Sequence, residues 1–164
     1  MPIQVFEQTN FGFQVVKVSG VVDEVQLRRM LGLYAQNMNW VLSDTIHILT
    51  GEFDSFQIED DALEALRRDY HTLYQSADFY VVRRSGWLCR GARGFGELQK
   101  WLRGRHALDG LSSEIALAVE IEKLAPLFDR EELEAVERWR DFALLAAIDG
   151  DDTGRRSHVD LGQP

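Results

Sequence analysis

Two hydrophobic periodicities take turns along this chain, and that alternation constrains the fold more than any single motif. Ile3 and Val5 stand at alternate positions in the segment 3–8, the spacing of a strand with one buried face. Phe13–Ser19 repeats the pattern. Asn10-Phe11-Gly12 lies between them as a turn, because Asn and Gly tolerate positive φ. The two segments therefore predict a β-hairpin, closed by Gly20. The period then lengthens. Asp23 with Gln26 forms a capping-box pattern, and Leu27, Met30, Leu31, Tyr34 and Met38 follow at helical spacing. Gly32 costs that helix about 1 kcal/mol relative to Ala. Thr45–Thr50 returns to the period of a strand, with His47 between Ile46 and Ile48. Gly51–Gln57 reads as a loop. From Ile58 the residues Ala62, Leu63, Leu66, Tyr70 and Leu73 predict a helix whose start carries Glu59, Asp60 and Asp61, suited to its positive end.

The second half continues the exchange. Phe79–Val82 is a compact apolar run that predicts a buried strand. Gly86–Gly96 reads as a glycine-rich connection into a helix bearing Phe95, Leu98, Trp101 and Leu102. Over 113–121 the alternation of Ile115, Leu117, Val119 and Ile121 favours a strand, while the Ala and Glu content also allows a helix. Pro126 limits Leu124–Phe128 to a short turn. Asp129, with Glu132 at the third position, caps a last helix over 130–149 with Leu133, Val136, Trp139, Phe142 and Ala143 on its apolar face. In that reading the run Phe142–Ile148 is the helix end, and 150–164 is a flexible polar tail. The order β-β-α-β-α-β-α-β-α implies one α/β domain over 1–149, with a mixed, mostly parallel sheet of about five strands and right-handed crossovers.

Charge and cysteine content narrow the function classes. A formal net charge of -9 argues against a nucleic-acid binder, whose affinity comes largely from Lys and Arg. One cysteine cannot form an intrachain disulfide, which suits a reducing compartment. The segment MPIQVFEQ lacks the basic and apolar regions of a signal peptide. No apolar run approaches the ~18 residues of a membrane span. The expectation is a cytoplasmic protein with no membrane partner.

Against that acidic background, seven Lys and Arg and a single acid, Glu97, fall between Arg83 and Arg105. This local positive patch is the candidate site for an anion: Arg83, Arg84, Trp87, Arg90, Gly91, Arg93 and Gly94. Backbone amides at a helix start beside Arg90 and Arg93 could hold a carboxylate or phosphate. The alternative is a glycine-rich turn with solvated arginines. Gly91–Gly96 is neither a Walker loop, since Glu97 and Leu98 replace the required Lys and Ser or Thr, nor a dinucleotide fingerprint. Cys89, just ahead of a helix and among arginines, is a candidate nucleophile, although lone cysteines are usually small core residues. His47, His71, His106 and His158 show no metal-ligand spacing, and no cofactor is expected. Trp87, Trp101, Trp139 and Phe95 could line a pocket, but aromatics at such spacing usually build core.

The element order, the hairpin FEQTNFGFQVVKVSG and the loop carrying Asp54-Ser55 resemble the STAS, or SpoIIAA-like, family of anti-sigma-factor antagonists. The topological likeness covers about residues 1–128. The stretches RRSGWLC and RHALDGLSSE look most like uncharacterised bacterial SpoIIAA-like proteins. In the classical family a Ser in Asp-Ser-Ser-Gly opens the second helix and is phosphorylated. The resemblance carries that role to Ser55, although Phe53-Asp54-Ser55-Phe56 lacks the second Ser and the Gly. A capping role would also explain a Ser at a helix start. The functional expectation is a non-enzymatic regulatory or interaction domain that binds a protein partner or a small anionic ligand, with a homodimer as one arrangement. The alternatives are a small-molecule enzyme using Cys89 and a structural protein docked through its C-terminal helix.

Overall fold

The structure is a computed structural model, and it describes residues 2–76, 83–102 and 113–150. It is an α/β protein built on one mixed sheet. The strands are β1 (Ile3–Gln8), β2 (Phe13–Asp23), β3 (Thr45–Gln57), β4 (Arg83–Cys89), β5 (Ser113–Ala118) and β6 (Phe142–Ile148). The helices are α1 (Glu24–Gln36), α2 (Met38–Leu42), α3 (Asp60–Gln75), α4 (Ala92–Leu102) and α5 (Arg130–Glu137), with a 3-10 turn at Ile121–Leu124. The sheet order is β5-β4-β3-β2-β1-β6. β2–β3, β3–β4 and β4–β5 pair in parallel. β1 pairs antiparallel with both β2 and β6.

The expected hairpin is present, in register from Ile3 opposite Val18 to Gln8 opposite Phe13. The capping boxes at Asp23/Gln26 and Asp129/Glu132 are both formed. The segment over 113–121, readable as strand or helix, is a strand at Ser113–Ala118.

Several boundaries differ from the sequence reading, each for a local reason. β2 does not stop at Gly20. Gly20 takes φ +60 inside the strand, a conformation that costs glycine nothing extra. The register with β3 shifts on both sides of it, and the strand bends and runs on to Asp23. Its partner β3 is lengthened too, so 51–57 is strand and not loop, with Val21 opposite Ser55. The helix read through Met38 breaks at Asn37, whose φ −131 and ψ 72 separate α1 from α2. The expected strand Phe79–Val82 lies outside the described residues. Gly86–Cys89, read as the start of the glycine-rich connection, belongs to a central strand, Arg83–Cys89, between β3 and β5. α4 begins at Ala92, which places Gly94 and Gly96 inside a helix.

The largest correction concerns the C-terminal segment. The last helix ends at Glu137, and Phe142–Ile148 forms a sixth strand on the free edge of β1. Trp139 (φ 48) and Asp141 (φ 58) occupy the left-handed region, which costs a residue with a Cβ roughly 1–2 kcal/mol. The Trp139 ring offsets that cost by stacking on Phe142 at 4.1 Å and meeting Phe6 edge-on at 4.9 Å. Lys17 Nζ caps the same ring at 3.2 Å. The polar tail 151–164 lies outside the described residues.

Both faces of the sheet are covered. Helices α1 to α4 bury one face over residues such as Val16, Leu49, Trp87 and Cys89. The 3-10 turn and α5 bury the other over Phe13, Ile46, Ile48 and Leu88. Strand alternation assigns the faces. In β4, Arg83, Ser85 and Trp87 share the face of Cys89, while Arg84 and Leu88 point the other way.

Candidate functional site

The residues of the positive patch are not gathered at one corner. Arg84 belongs to the α5 face. Its Nη1 and Nη2 donate to Glu132 Oε2 and Oε1, both at 2.9 Å, and its Nε donates to Asp44 Oδ2 at 2.7 Å. Nη1 also donates to the Leu127 carbonyl at 2.9 Å. The Glu132 hydrogen bond holds the guanidinium above its ordinary pKa despite some burial, with Asp44 adding to the effect. Arg93 is exposed and pairs with Asp54 at 2.8 Å. Lys100 pairs with Asp60 at 2.6 Å. Arg90 is exposed, and its backbone N–H is taken by the Leu49 carbonyl. The chain's own carboxylates thus neutralise much of the patch.

Gly94 serves packing, whereas a Cβ on Gly91 would make only ordinary contacts, 3.8 Å or more away. A Cβ on Gly94 would come within 2.8 Å of Cys89 Sγ and 2.9 Å of Leu49 Cδ2, so α4 can rest on the sheet only with glycine there. Cys89 is 2% exposed, and its Sγ donates to the Gly91 carbonyl at 2.8 Å. The thiol is enclosed, unlike reactive cysteines, which are partly accessible. Ser55 is half-buried in β3 and does not open α3, which starts at Asp60. A phosphate on Ser55 would therefore not cap a helix. Among the described residues, no group of three or more His, Cys, Asp or Glu could hold a metal. His106 and His158 lie outside the described residues.

Arg83 and Trp87 come together instead inside the molecule, on the α1–α4 face. Arg83 is 3% exposed. Its Nη1 donates to the Val41 carbonyl at 3.1 Å and to Tyr74 Oη at 2.6 Å, and its Nη2 donates to Thr45 Oγ1 at 3.0 Å. All three acceptors are neutral. Among the described residues no carboxylate lies within ion-pair distance of it. Its Nε has no hydrogen-bond partner. The remaining donors are therefore Nε–H and one hydrogen of Nη2. Nε and Nη2 flank the side-on edge of the guanidinium, whose spacing matches the two oxygens of a carboxylate. Burial lowers the pKa of Arg83, but its tyrosine neighbours Tyr74, Tyr34 and Tyr70 outweigh that and leave it raised. The group is a permanent cation.

This cation borders a cavity of ≈ 40 Å³. The walls combine the aromatic rings of Tyr34, Phe56, Tyr70, Tyr74, Trp87 and Trp101 with five aliphatic side chains, and His47 stacks on Trp87 at 3.9 Å. The Trp101 indole N–H is buried and has no partner. Phe56 and Tyr70 are half-buried, while Arg83 and Tyr34 are buried. The elements explain the assembly. β4 alternation turns Arg83 and Trp87 inward, β3 alternation does the same for His47, and the apolar stripes of α1 and α3 deliver the three tyrosines.

Sequence reasoning placed Tyr34, Tyr70 and Trp101 on core faces but did not join them to Arg83. The available signal was strand alternation in RRSGWLC. Once that run is a strand, one of its two arginines must face the buried side.

Comparison with protein families, with curated proteins and with solved structures finds no match to this chain. The class defined by fold and cavity is an α/β protein whose described residues form one six-stranded mixed sheet with a partly aromatic cavity at a buried arginine.

Proposed function

We propose that this protein is a non-enzymatic regulatory domain that binds a small anionic ligand in the Arg83 cavity. The observation that carries the reading is an orphaned buried cation. Removing an ion from water costs several kcal/mol unless a partner repays it. Buried charges are accordingly paired in folded proteins. Arg83 is held by neutral acceptors, leaves its Nε without a partner and borders a cavity. An anion at that edge would complete the pairing, and its affinity would report a ligand to whatever partner reads this domain. The kinship to STAS-like domains belongs to the same proposal, supported by the strand and helix order. No activity at Cys89 is needed.

The test is thermal denaturation with increasing acetate at constant ionic strength, for the wild type and Arg83→Met. A ligand of the folded state raises the midpoint as RT ln(1 + [L]/Kd). The wild type should show a saturable rise that Arg83→Met lacks. An equal response in both proteins would show that the anion acts elsewhere.

A further inference from the structure

Resting on that reading, we infer that the ligand of the Arg83 cavity is an aromatic monocarboxylate, seated with its carboxylate on Arg83 and its ring against Phe56, Tyr70 and Trp101. The charge count comes first. Two guanidinium donors of Arg83 lack a partner, and among the described residues no second Lys or Arg borders the cavity. A phosphate ester or dicarboxylate would bring more negative charge than one arginine offsets, and the surplus would be buried at several kcal/mol. A single carboxylate matches the edge in charge and in shape.

Size and wall chemistry decide the remainder of the molecule. The cavity, ≈ 40 Å³, holds a carboxylate or a few waters. The body must then extend toward the half-buried side, where Phe56 lies over Trp101 at 5.4 Å between ring centroids and Tyr70 faces Tyr34 at 6.3 Å. Offset and edge-on ring pairs add about 0.5–1.5 kcal/mol beyond area burial, a gain open to an aryl group and closed to an alkyl chain. Trp101 Nε1–H supplies a buried donor without a partner. A ring bearing an oxygen acceptor would satisfy it, and a bare hydrocarbon would not.

The experiment is quenching of tryptophan fluorescence, checked by calorimetry, with benzoate, 4-hydroxybenzoate, cyclohexanecarboxylate, acetate, benzyl alcohol and inorganic phosphate as probes. Benzoate should bind at least about tenfold more tightly than acetate or cyclohexanecarboxylate, and benzyl alcohol and phosphate should not bind. Arg83→Met should abolish benzoate binding. Phe56→Leu, at a half-buried position, should weaken benzoate several-fold and leave acetate unchanged, which keeps the test sound if Arg83→Met does not fold. Equal affinities for acetate and benzoate would overturn the aromatic assignment and leave the anion site standing. Tight phosphate binding would overturn the monocarboxylate assignment. If no anion binds the wild type, the site itself is wrong.

Discussion

Arg83 and Arg84 leave strand β4 in opposite directions, and the chain treats their charges differently. Arg84 meets two carboxylates, Asp44 and Glu132, and Glu132 also caps α5 through the Asp129 backbone at 2.8 Å. Among the described residues, Arg83 meets a carbonyl and two hydroxyls on the α1–α4 face. The contrast teaches that a cationic dipeptide in the sequence is not one feature. On one face it is structural and closed, on the other it remains one partner short. The density of positive charge in the sequence pointed to the surface corner at Gly91–Gly96. The incomplete charge lies at the opposite end of the same strand.

The largest effect that could break the comparison is in stability. Arg84→Met leaves Glu132, whose side chain is 7% exposed, without its cation, and should cost about 3–5 kcal/mol in urea unfolding. Arg83→Met removes an unpaired buried charge. The relief should nearly cancel the lost hydrogen bonds, changing stability by about 1 kcal/mol or less. Equal, large losses for both variants would mean that Arg83 is as fully paired as its neighbour.

Two glycines of α4 sharpen the difference between closed and open surfaces. Gly94→Ala forces a methyl against Cys89 and Leu49 and should destabilise by about 1–3 kcal/mol. Gly96 is exposed, and a Cβ there meets nothing within 4 Å. Gly96→Ala should therefore stabilise by about 0.5–1 kcal/mol through helix propensity. Thermal midpoints of the two variants should move in opposite directions. A shared direction would show that Gly94 does not set the seating of α4 over β3 and β4.

The smallest effect is on the α5 face. Burial beneath Trp139 lowers the Lys17 pKa from its ordinary value of 10.5. In the alkaline window between the lowered value and 10.5, the unfolded chain binds more protons, so Lys17 adds stability as pH rises. Lys17→Met should lose that increment. Stability of the wild type and of Lys17→Met, measured across this window, should diverge upward for the wild type. Parallel curves would mean that the ammonium is fully solvated.

Much of the fold was legible because it rests on local signals. The hairpin turn at Asn10–Gly12, both capping boxes and the helical stripes of α1 and α3 needed no tertiary information. What failed was decided by long-range pairing. Phe142–Ile148 carries a run compatible with either period, and only the free edge of β1 makes it a strand. Gly20 signals a break in isolation but becomes a bend when β3 runs on beside it. The candidate site was legible only in part. Arg83 and Trp87 were named among the site residues, but they were placed in a surface loop, because the strand read at Phe79–Val82 was not extended over Arg83–Cys89. Without that strand, nothing assigns Arg83 to the face that α1 and α3 cover with tyrosines.

The claim that everything else depends on is that the Nε edge of Arg83 is an open, anion-binding edge. The most direct measurement is a ¹⁵N–¹H spectrum of arginine Nε–H groups during an acetate titration, with the Arg83 signal identified by its loss in Arg83→Met. The account predicts a saturable shift of the Arg83 signal while the Arg84 signal, locked on Asp44, stays in place. An Arg83 signal that does not move, or one that moves only in step with the exposed Arg90 and Arg93, would contradict it.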